Sequence, residues 1–296
     1  MYKRQLIEWT NRRNISLFDS VVSLGNKCCV DEADVIRHLA ADPNIELIMC
    51  YIEGFKPTRG RAFMESVREL RGIKPVVVLK GGRYAAGARA TTTHTGSLAG
   101  SDRVFVGAMR QAGAILTESI REFINVSRLA VSQPYLRGPR VAVITNLGGP
   151  GVITADLCER FGLEVPPTPD HLKEELRKRL PLYCAVGNPI DLAGDPAPER
   201  YQAALDVVYE AETFDGVLIV AAPLVGAEKI ATDIVWTSQD AFKPTAICWI
   251  DETSQPVVRP IFEAAGLPVF EMPEDAVRAM AALWRGQAQL PQGRGT

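Results

Sequence analysis

His94 stands in the stretch Thr91-Thr92-Thr93-His94-Thr95-Gly96-Ser97-Leu98-Ala99-Gly100, whose residue types suit phosphoryl transfer to an imidazole. Thr93, Thr95 and Ser97 offer hydroxyls, while Gly96 and Gly100 let backbone amides approach an oxyanion closely. A neutral imidazole is a competent nucleophile near pH 7, because its unperturbed pKa lies there. The other two histidines, His38 and His171, fall within an amphipathic segment and near a helix start, and read as structural or solvated. A histidine on an exposed loop is the alternative that these residue types leave open.

A phosphorylated imidazole needs a carboxylate on its second nitrogen, to fix the tautomer and stabilise the cation. Glu53 follows the apolar run ending at Ile52 and precedes Gly54, which puts it at the carboxyl end of a strand. That edge of an open α/β sheet is where ligands bind. On local sequence alone a solvated loop carboxylate is the more frequent reading of Glu53. Lys80-Gly81-Gly82-Arg83 also follows a strand, and Lys80 or Arg83 could hold a phosphate, although lone cations there are commonly solvated. Asn146-Leu147-Gly148-Gly149-Pro150-Gly151 links a strand to a helix. Gly148 and Gly149 could face an anion, but the run is neither GxGxxG nor a Walker A loop. A tight βα turn with Pro150 at the first helical position is the simpler account. In Asn188-Pro189-Ile190-Asp191-Leu192, Asp191 is a substrate or interface candidate, with a turn or helix cap as its commoner use.

The elements that must position these residues alternate in type. Leu6 to Trp9 reads as helix, Asp19 to Leu24 as a strand running into Gly25-Asn26, and Asp31 to Ala41 as an amphipathic helix. Glu46–Ile52 and Pro75–Lys80 are apolar runs on either side of a helix over Pro57–Arg71. Gly81 to Gly100 reads as one long loop, of the kind that is functional or mobile. Helices follow from Ser101-Asp102 and over Glu118–Val131. After a linker at 132–139 a second series begins, with strands at Val141–Thr145, Gly216–Val220, Thr245–Ile250 and Leu267–Phe270. Short apolar runs between helices imply parallel sheets covered on both faces. The expected organisation is domain 1–133, domain 138–286 and a polar tail 287–296.

The formal net charge of −2 provides no basic field for nucleic acid. No run is long enough to span a membrane. The N-terminus lacks the apolar core of a signal peptide. The six cysteines form no CxxC pair and mostly sit in apolar segments, which fits reduced thiols in a cytoplasmic protein and neither a disulfide framework nor a metal site.

Taken together, Val22-Ser23-Leu24-Gly25-Asn26, Tyr51-Ile52-Glu53-Gly54, the run from Lys80-Gly81-Gly82-Arg83 to His94-Thr95-Gly96-Ser97-Leu98-Ala99-Gly100-Ser101-Asp102, Thr145–Gly151 and Asn188–Leu192 resemble the NDP-forming acyl-CoA synthetases. These are the ADP-forming acetate–CoA ligases related to succinyl-CoA synthetase. The resemblance implies two flavodoxin-like, doubly wound α/β domains from the α side of such an acid–thiol ligase. It implies a phosphohistidine at His94 supported by Glu53, with Thr93, Thr95, Gly96 and Ser97 around it. Gly25, Asn26, Lys80, Arg83, Asn146, Gly148, Gly149 and Asp191 become secondary candidates. Coenzyme A, ADP/ATP or GDP/GTP, and Mg2+ are the implied cofactors, with a small carboxylic acid as substrate. The family's Rossmann-like CoA-binding domain and its ATP-grasp domain have no counterpart here, and the chain resembles the family from within the helix near Leu6–Trp9. Partner chains carrying a CoA-binding domain and an ATP-grasp β subunit, in an oligomer, are therefore expected. The alternative is a truncated, non-catalytic scaffold or regulatory module of the same superfamily. A protein-acylating relative ranks last, because no acetyltransferase segment is present.

Overall fold

The computed structural model describes residues 2–13, 15, 17–95, 101–194 and 196–287, with the side chains of 2–4, 91–95 and 287 outside the description. The chain divides into two compact units, Met1–Val131 and Ser132–Ala288. No helix among the described residues is long and apolar enough to cross a membrane.

The first unit runs α1 (Tyr2–Arg12), α2 (Glu32–Ala40), β1 (Ile48–Ile52), α3 (Arg59–Glu69), β2 (Val76–Lys80), α4 (Ala85–Thr95), α5 (Asp102–Ala112), β3 (Ile115–Thr117) and α6 (Ile120–Ser132). Its sheet is parallel, in the order β1-β2-β3. β2 lies at its centre, and all five of its residues are buried. A strand buried on both faces tolerates few polar residues, hence Val-Val-Val-Leu before Lys80. Asp31 starts α2 by accepting the amides of Ala33 and Asp34, and Asp34 returns a bond to the Asp31 amide, a reciprocal capping box. Ile36 of α2, Phe63 and Val67 of α3 and Met109 of α5 then close over β1 and β2 in one core.

The second unit runs β4 (Val141–Thr145), α7 (Gly148–Phe161), α8 (Asp170–Arg179), β5 (Ile190–Asp191), α9 (Pro198–Glu210), β6 (Gly216–Ala221), α10 (Ala227–Ser238), β7 (Thr245–Trp249), α11 (Gln255–Ala264), β8 (Val269–Phe270) and α12 (Pro273–Gln287). Its parallel sheet has the order β5-β4-β6-β7-β8. In the unit's own count this is 2-1-3-4-5, the flavodoxin-like arrangement. β4, β6 and β7 are buried throughout. Gly151 is required where α7 crosses β4, because a β-carbon there would lie 2.8 Å from Cγ2 of Thr145.

Four expectations change. Asp19–Leu24 forms no strand, and Val21 and Val22 are about half exposed, at 46% and 49%. The long loop from Gly81 is interrupted by α4, since Ala85-Ala86-Gly87-Ala88-Arg89-Ala90 is rich in the best helix former. Two strands escaped notice, β3 and β5, each of three residues or fewer and so without readable periodicity. Pro150 is the third residue of α7, not the first. The helices and remaining strands lie where expected, within a few residues. His38 is exposed in the last turn of α2, and His171 is exposed as the second residue of α8.

Candidate active site

Because β1, β2 and β3 are parallel, their carboxyl ends share one edge. Glu53 leaves β1 there, Lys80 ends β2 and Glu118 follows β3. The Gly81 amide donates to the Ile52 carbonyl at 2.9 Å, which extends the ladder by one bond and places Gly81 beside Glu53. Gly81 lets the two segments approach closely: a β-carbon there would lie 2.7 Å from the Tyr51 hydroxyl, which would have to shift, and 3.4 Å from Cγ of Glu53. Glu53 is half-buried and accepts a bond from the Tyr51 hydroxyl at 3.3 Å.

Neither cation after β2 is a solvated side chain. Lys80 is buried, donates to the Gly81 carbonyl at 3.0 Å and sits 5.4 Å from the Phe105 ring centre. Burial lowers its pKa, and Asp102 opposes that shift. Arg83 donates through Nε to Asp102 Oδ1 at 3.0 Å, through a terminal nitrogen to Oδ2 at 3.3 Å, and to Glu118 Oε1 at 3.2 Å. Bidentate pairs of this kind fix orientation as well as adding energy. Arg83 precedes α4 and Asp102 opens α5, so this pair clasps the base of the excursion that carries His94. Within that excursion α4 takes the backbone of His94 about 14 Å along the helix axis from Ala85, at ~1.5 Å per residue. The side chains of Thr93, His94 and Thr95, and all of Gly96 and Ser97, lie outside the described residues.

Gly25 and Asn26 are the exposed centre of a turn closed by the Lys27 amide on the Leu24 carbonyl at 3.0 Å. Lys27, which the sequence reading passed over, reaches from this turn to the site edge. It donates to the Gly54 carbonyl at 2.6 Å and pairs with Glu32. Asp102 was read only as a helix start and likewise gains a role. Nothing local marks either residue, since each contact joins segments at least 19 residues apart in sequence, except that between Lys27 and Glu32.

The candidates of the second unit gather at the carboxyl edge of its own sheet. Asn146 is buried, and its amide is saturated. Its oxygen accepts the Ala222 amide at 3.0 Å and the Tyr201 hydroxyl at 3.1 Å, and its nitrogen donates to the Gly194 carbonyl at 2.9 Å. It therefore ties the loops after β4, β5 and β6 together. Asp191 accepts the Ala193 amide at 2.9 Å, and its other oxygen lies 3.2 Å from where a Gly148 β-carbon would be. A carboxylate at the start of α7 suits the positive end of that helix. A β-carbon at Gly149 would meet nothing within 4 Å. No group of three or more His, Cys, Asp or Glu side chains that could hold a metal occurs among the described residues.

Comparison with known proteins adds the lineage. Residues 2–130 match the succinyl-CoA ligase like flavodoxin domain, and residues 141–235 match the ligase-CoA domain. ADP-forming acetate–CoA ligase I of Archaeoglobus fulgidus is 35% identical over 282 residues, which cover 95% of this chain and 40% of that protein. The α subunit of ADP-forming acetate–CoA ligase II of Pyrococcus furiosus is 33% identical over 274 residues, covering 90% of this chain and 59% of the subunit. Among solved structures, dinucleotide forming acetyl-coenzyme A synthetase 1 of Ca. Korarchaeum cryptofilum, in complex with phosphate and ADP, aligns with a TM-score of 0.89 at 29% identity. That alignment covers 96% of this chain and 62% of the other. The chain thus spans between 40% and 62% of the length of these relatives. Through both of its domains the chain belongs to the succinyl-CoA ligase-like family, and ADP-forming acetate–CoA ligases are among the relatives it matches along nearly its whole length.

Proposed function

We propose that this chain is the histidine-bearing component of an ADP- or GDP-forming acyl-CoA ligase. The observation that carries the reading is the Arg83–Asp102 clasp, which roots the His94 excursion at the sheet edge where Glu53 emerges. One imidazole nitrogen of His94 attacks the phosphorus of an acyl phosphate. The bond from phosphorus to the acyl oxygen breaks, and the carboxylic acid leaves as its anion. The proton on the other ring nitrogen stays in place, and the carboxylate of Glu53 stabilises the cationic ring. In the second half-reaction a terminal phosphate oxygen of the nucleoside diphosphate takes the phosphoryl group and the imidazole is regenerated. Thr93, Thr95 and Ser97 supply hydroxyls, and Gly96 an amide, to the travelling group. Coenzyme A and the nucleotide are bound by domains outside these residues, one of CoA-binding and one of ATP-grasp type. This component works in the cytoplasm within an oligomer.

The test is incubation with γ-labelled ATP and Mg2+ in the presence of those partner domains. Wild type is expected to take up acid-labile, base-stable label, and His94→Ala to take up none. Glu53→Gln is expected to lower the labelling rate ~10–100-fold, as loss of an orienting partner does. Persistent label of that kind on His94→Ala would sink the assignment.

A further inference from the structure

The backbone on both sides of Glu53 is held. The Ile52 carbonyl accepts the Gly81 amide at 2.9 Å, and the Gly54 carbonyl accepts the Lys27 ammonium at 2.6 Å. The Gly81 peptide is tied at its other end as well, because its carbonyl accepts from Lys80 at 3.0 Å. These bonds fix where the Glu53 side chain starts and leave its own torsions open. A glutamate side chain is rich in rotamers, and ordering it opposes any step that needs the carboxylate in one direction.

The alternation of β1 supplies a partner for that side chain. Tyr51 and Glu53 are two residues apart and share one face of the sheet, while Ile52 between them is buried in the core of the other face. The register pairs Tyr51 with Leu79 and Ile52 with Lys80, so the position beside Glu53 is Gly81. Gly81 sets no side chain next to the carboxylate, and the phenol of Tyr51 takes that place. Its hydroxyl lies 2.7 Å, and its ring carbon Cζ 3.2 Å, from where a Gly81 β-carbon would be. From there the hydroxyl donates to Glu53 Oε1 at 3.3 Å. Gly81 is not left-handed, so what glycine provides at 81 is room for the phenol and not an unusual backbone conformation.

We propose that Tyr51 is a positioning residue for the phosphorylated imidazole, a role that rests on the His94 reading above. A carboxylate has two oxygens to offer. The phenol occupies Oε1 and leaves Oε2 for the ring N–H of His94. With one oxygen tied, the plane of the carboxylate is set before the cationic ring arrives, and less rotamer freedom is lost when it does. Tyr51 touches no reacting atom and moves no proton. Gly81 belongs to the same arrangement, because a β-carbon there would push the hydroxyl away from Glu53. Tyr51 is exposed, so replacing it with phenylalanine opens no cavity.

The experiment uses the full chain carrying 13C at the glutamate side-chain carboxyl carbons, with the Glu53 signal identified by its loss in Glu53→Ala. At pH ~7 that signal is expected to move in Tyr51→Phe and in Gly81→Ala, by more than any other glutamate signal. With the CoA-binding and ATP-grasp partner domains, γ-labelled ATP and Mg2+, each of these two variants is expected to label His94 ~5-fold more slowly than wild type, which is what one hydrogen bond is worth. In a Glu53→Ala background the same two substitutions are expected to change nothing further, since the carboxylate is their only link to the imidazole. A merely structural role for Tyr51 would slow both backgrounds alike, and that result overturns the inference. A Glu53 signal that stays in place in Tyr51→Phe overturns it as well, with the His94 reading intact wherever wild type is labelled. Wild type without label, beside a Glu53 signal that moves as expected, would strike the His94 reading and the role of Tyr51 with it, but not the contact between Tyr51 and Glu53.

Discussion

The loops at the carboxyl edges of the two sheets are tied by different chemistry. In the second unit one buried amide, Asn146, satisfies four polar groups and locks three loops. In the first unit a lysine stem spans from the Gly25-Asn26 turn to Gly54, ending in an ion pair with Glu32. The first tie is a packed, low-dielectric network whose members strengthen one another. The second is a lysine stem that joins two loops through the Gly54 carbonyl. The unit with the weaker tie is also the one from which Glu53, Arg83 and the His94 excursion emerge. Elements that must move or admit a partner are drawn from the less stable parts of a fold.

Removing each tie measures the difference. Asn146→Ala removes the partner of the Ala222 amide and of the Gly194 carbonyl, and one bond of the Tyr201 hydroxyl. At ~1–3 kcal/mol for each unsatisfied buried group, partly relieved by water, a loss of about 3 kcal/mol is expected. Lys27→Met keeps much of the stem and is expected to cost about 1–2 kcal/mol, chiefly through Glu32, which loses its partner. Urea titrations read by a probe in each unit would decide this. Equal losses for the two variants would erase the contrast.

Much of this was legible in the residues. Val76-Val77-Val78-Leu79 can only be a strand covered on both faces, and the apolar runs of the second unit read equally well. Glu53 could be placed at a strand end because it directly follows Ile52, the last residue of the apolar run. What stayed hidden was non-local. Val21-Val22-Ser23-Leu24 has strand composition, yet a strand forms only against a partner, and composition says nothing about whether that partner is there. Asn146 and Lys27 look alike as polar residues near glycines. The roles of these two residues come from backbone atoms 27 to 76 positions away. The alanine content of 85–90 is a local signal for α4.

A smaller effect tests the start of α2. Asp31 caps α2 and pairs with Arg59, whose guanidinium holds the Asp31 carboxyl well below its usual range, at about 2. Asp31→Ala is expected to cost about 1–2 kcal/mol, the range for a lost cap. The folded pKa lies below the unfolded value, so this stabilisation is present above pH ~4 and fades as pH falls toward 2. The acid limb of a stability profile should therefore be shallower in Asp31→Asn than in wild type, and more so for a probe in the first unit. An unchanged limb would assign acid sensitivity to other carboxylates.

The smallest expected effect lies at the opposite, amino edge of the second sheet. Lys243 donates to the Val208 carbonyl at 2.8 Å and also to the Ala211 carbonyl. Burial pushes its pKa down to about 8, with Asp215 and Glu212 raising it and Arg140 lowering it further. The unfolded lysine keeps its proton to about pH 10.4. Between these values the unfolded chain binds more protons than the folded one, so stability must rise with pH there. Below pH 8 the amine is charged in both states and the slope vanishes. Lys80 in the first unit is shifted in the same direction by its own burial, but Asp102 counters that shift. The rise from pH 8 should therefore be steeper for the second unit, and Lys243→Met should flatten it. Comparing slopes rather than absolute stabilities separates proton linkage from the two hydrogen bonds that the substitution removes. A slope that survives in Lys243→Met would assign the rise to other titrating groups.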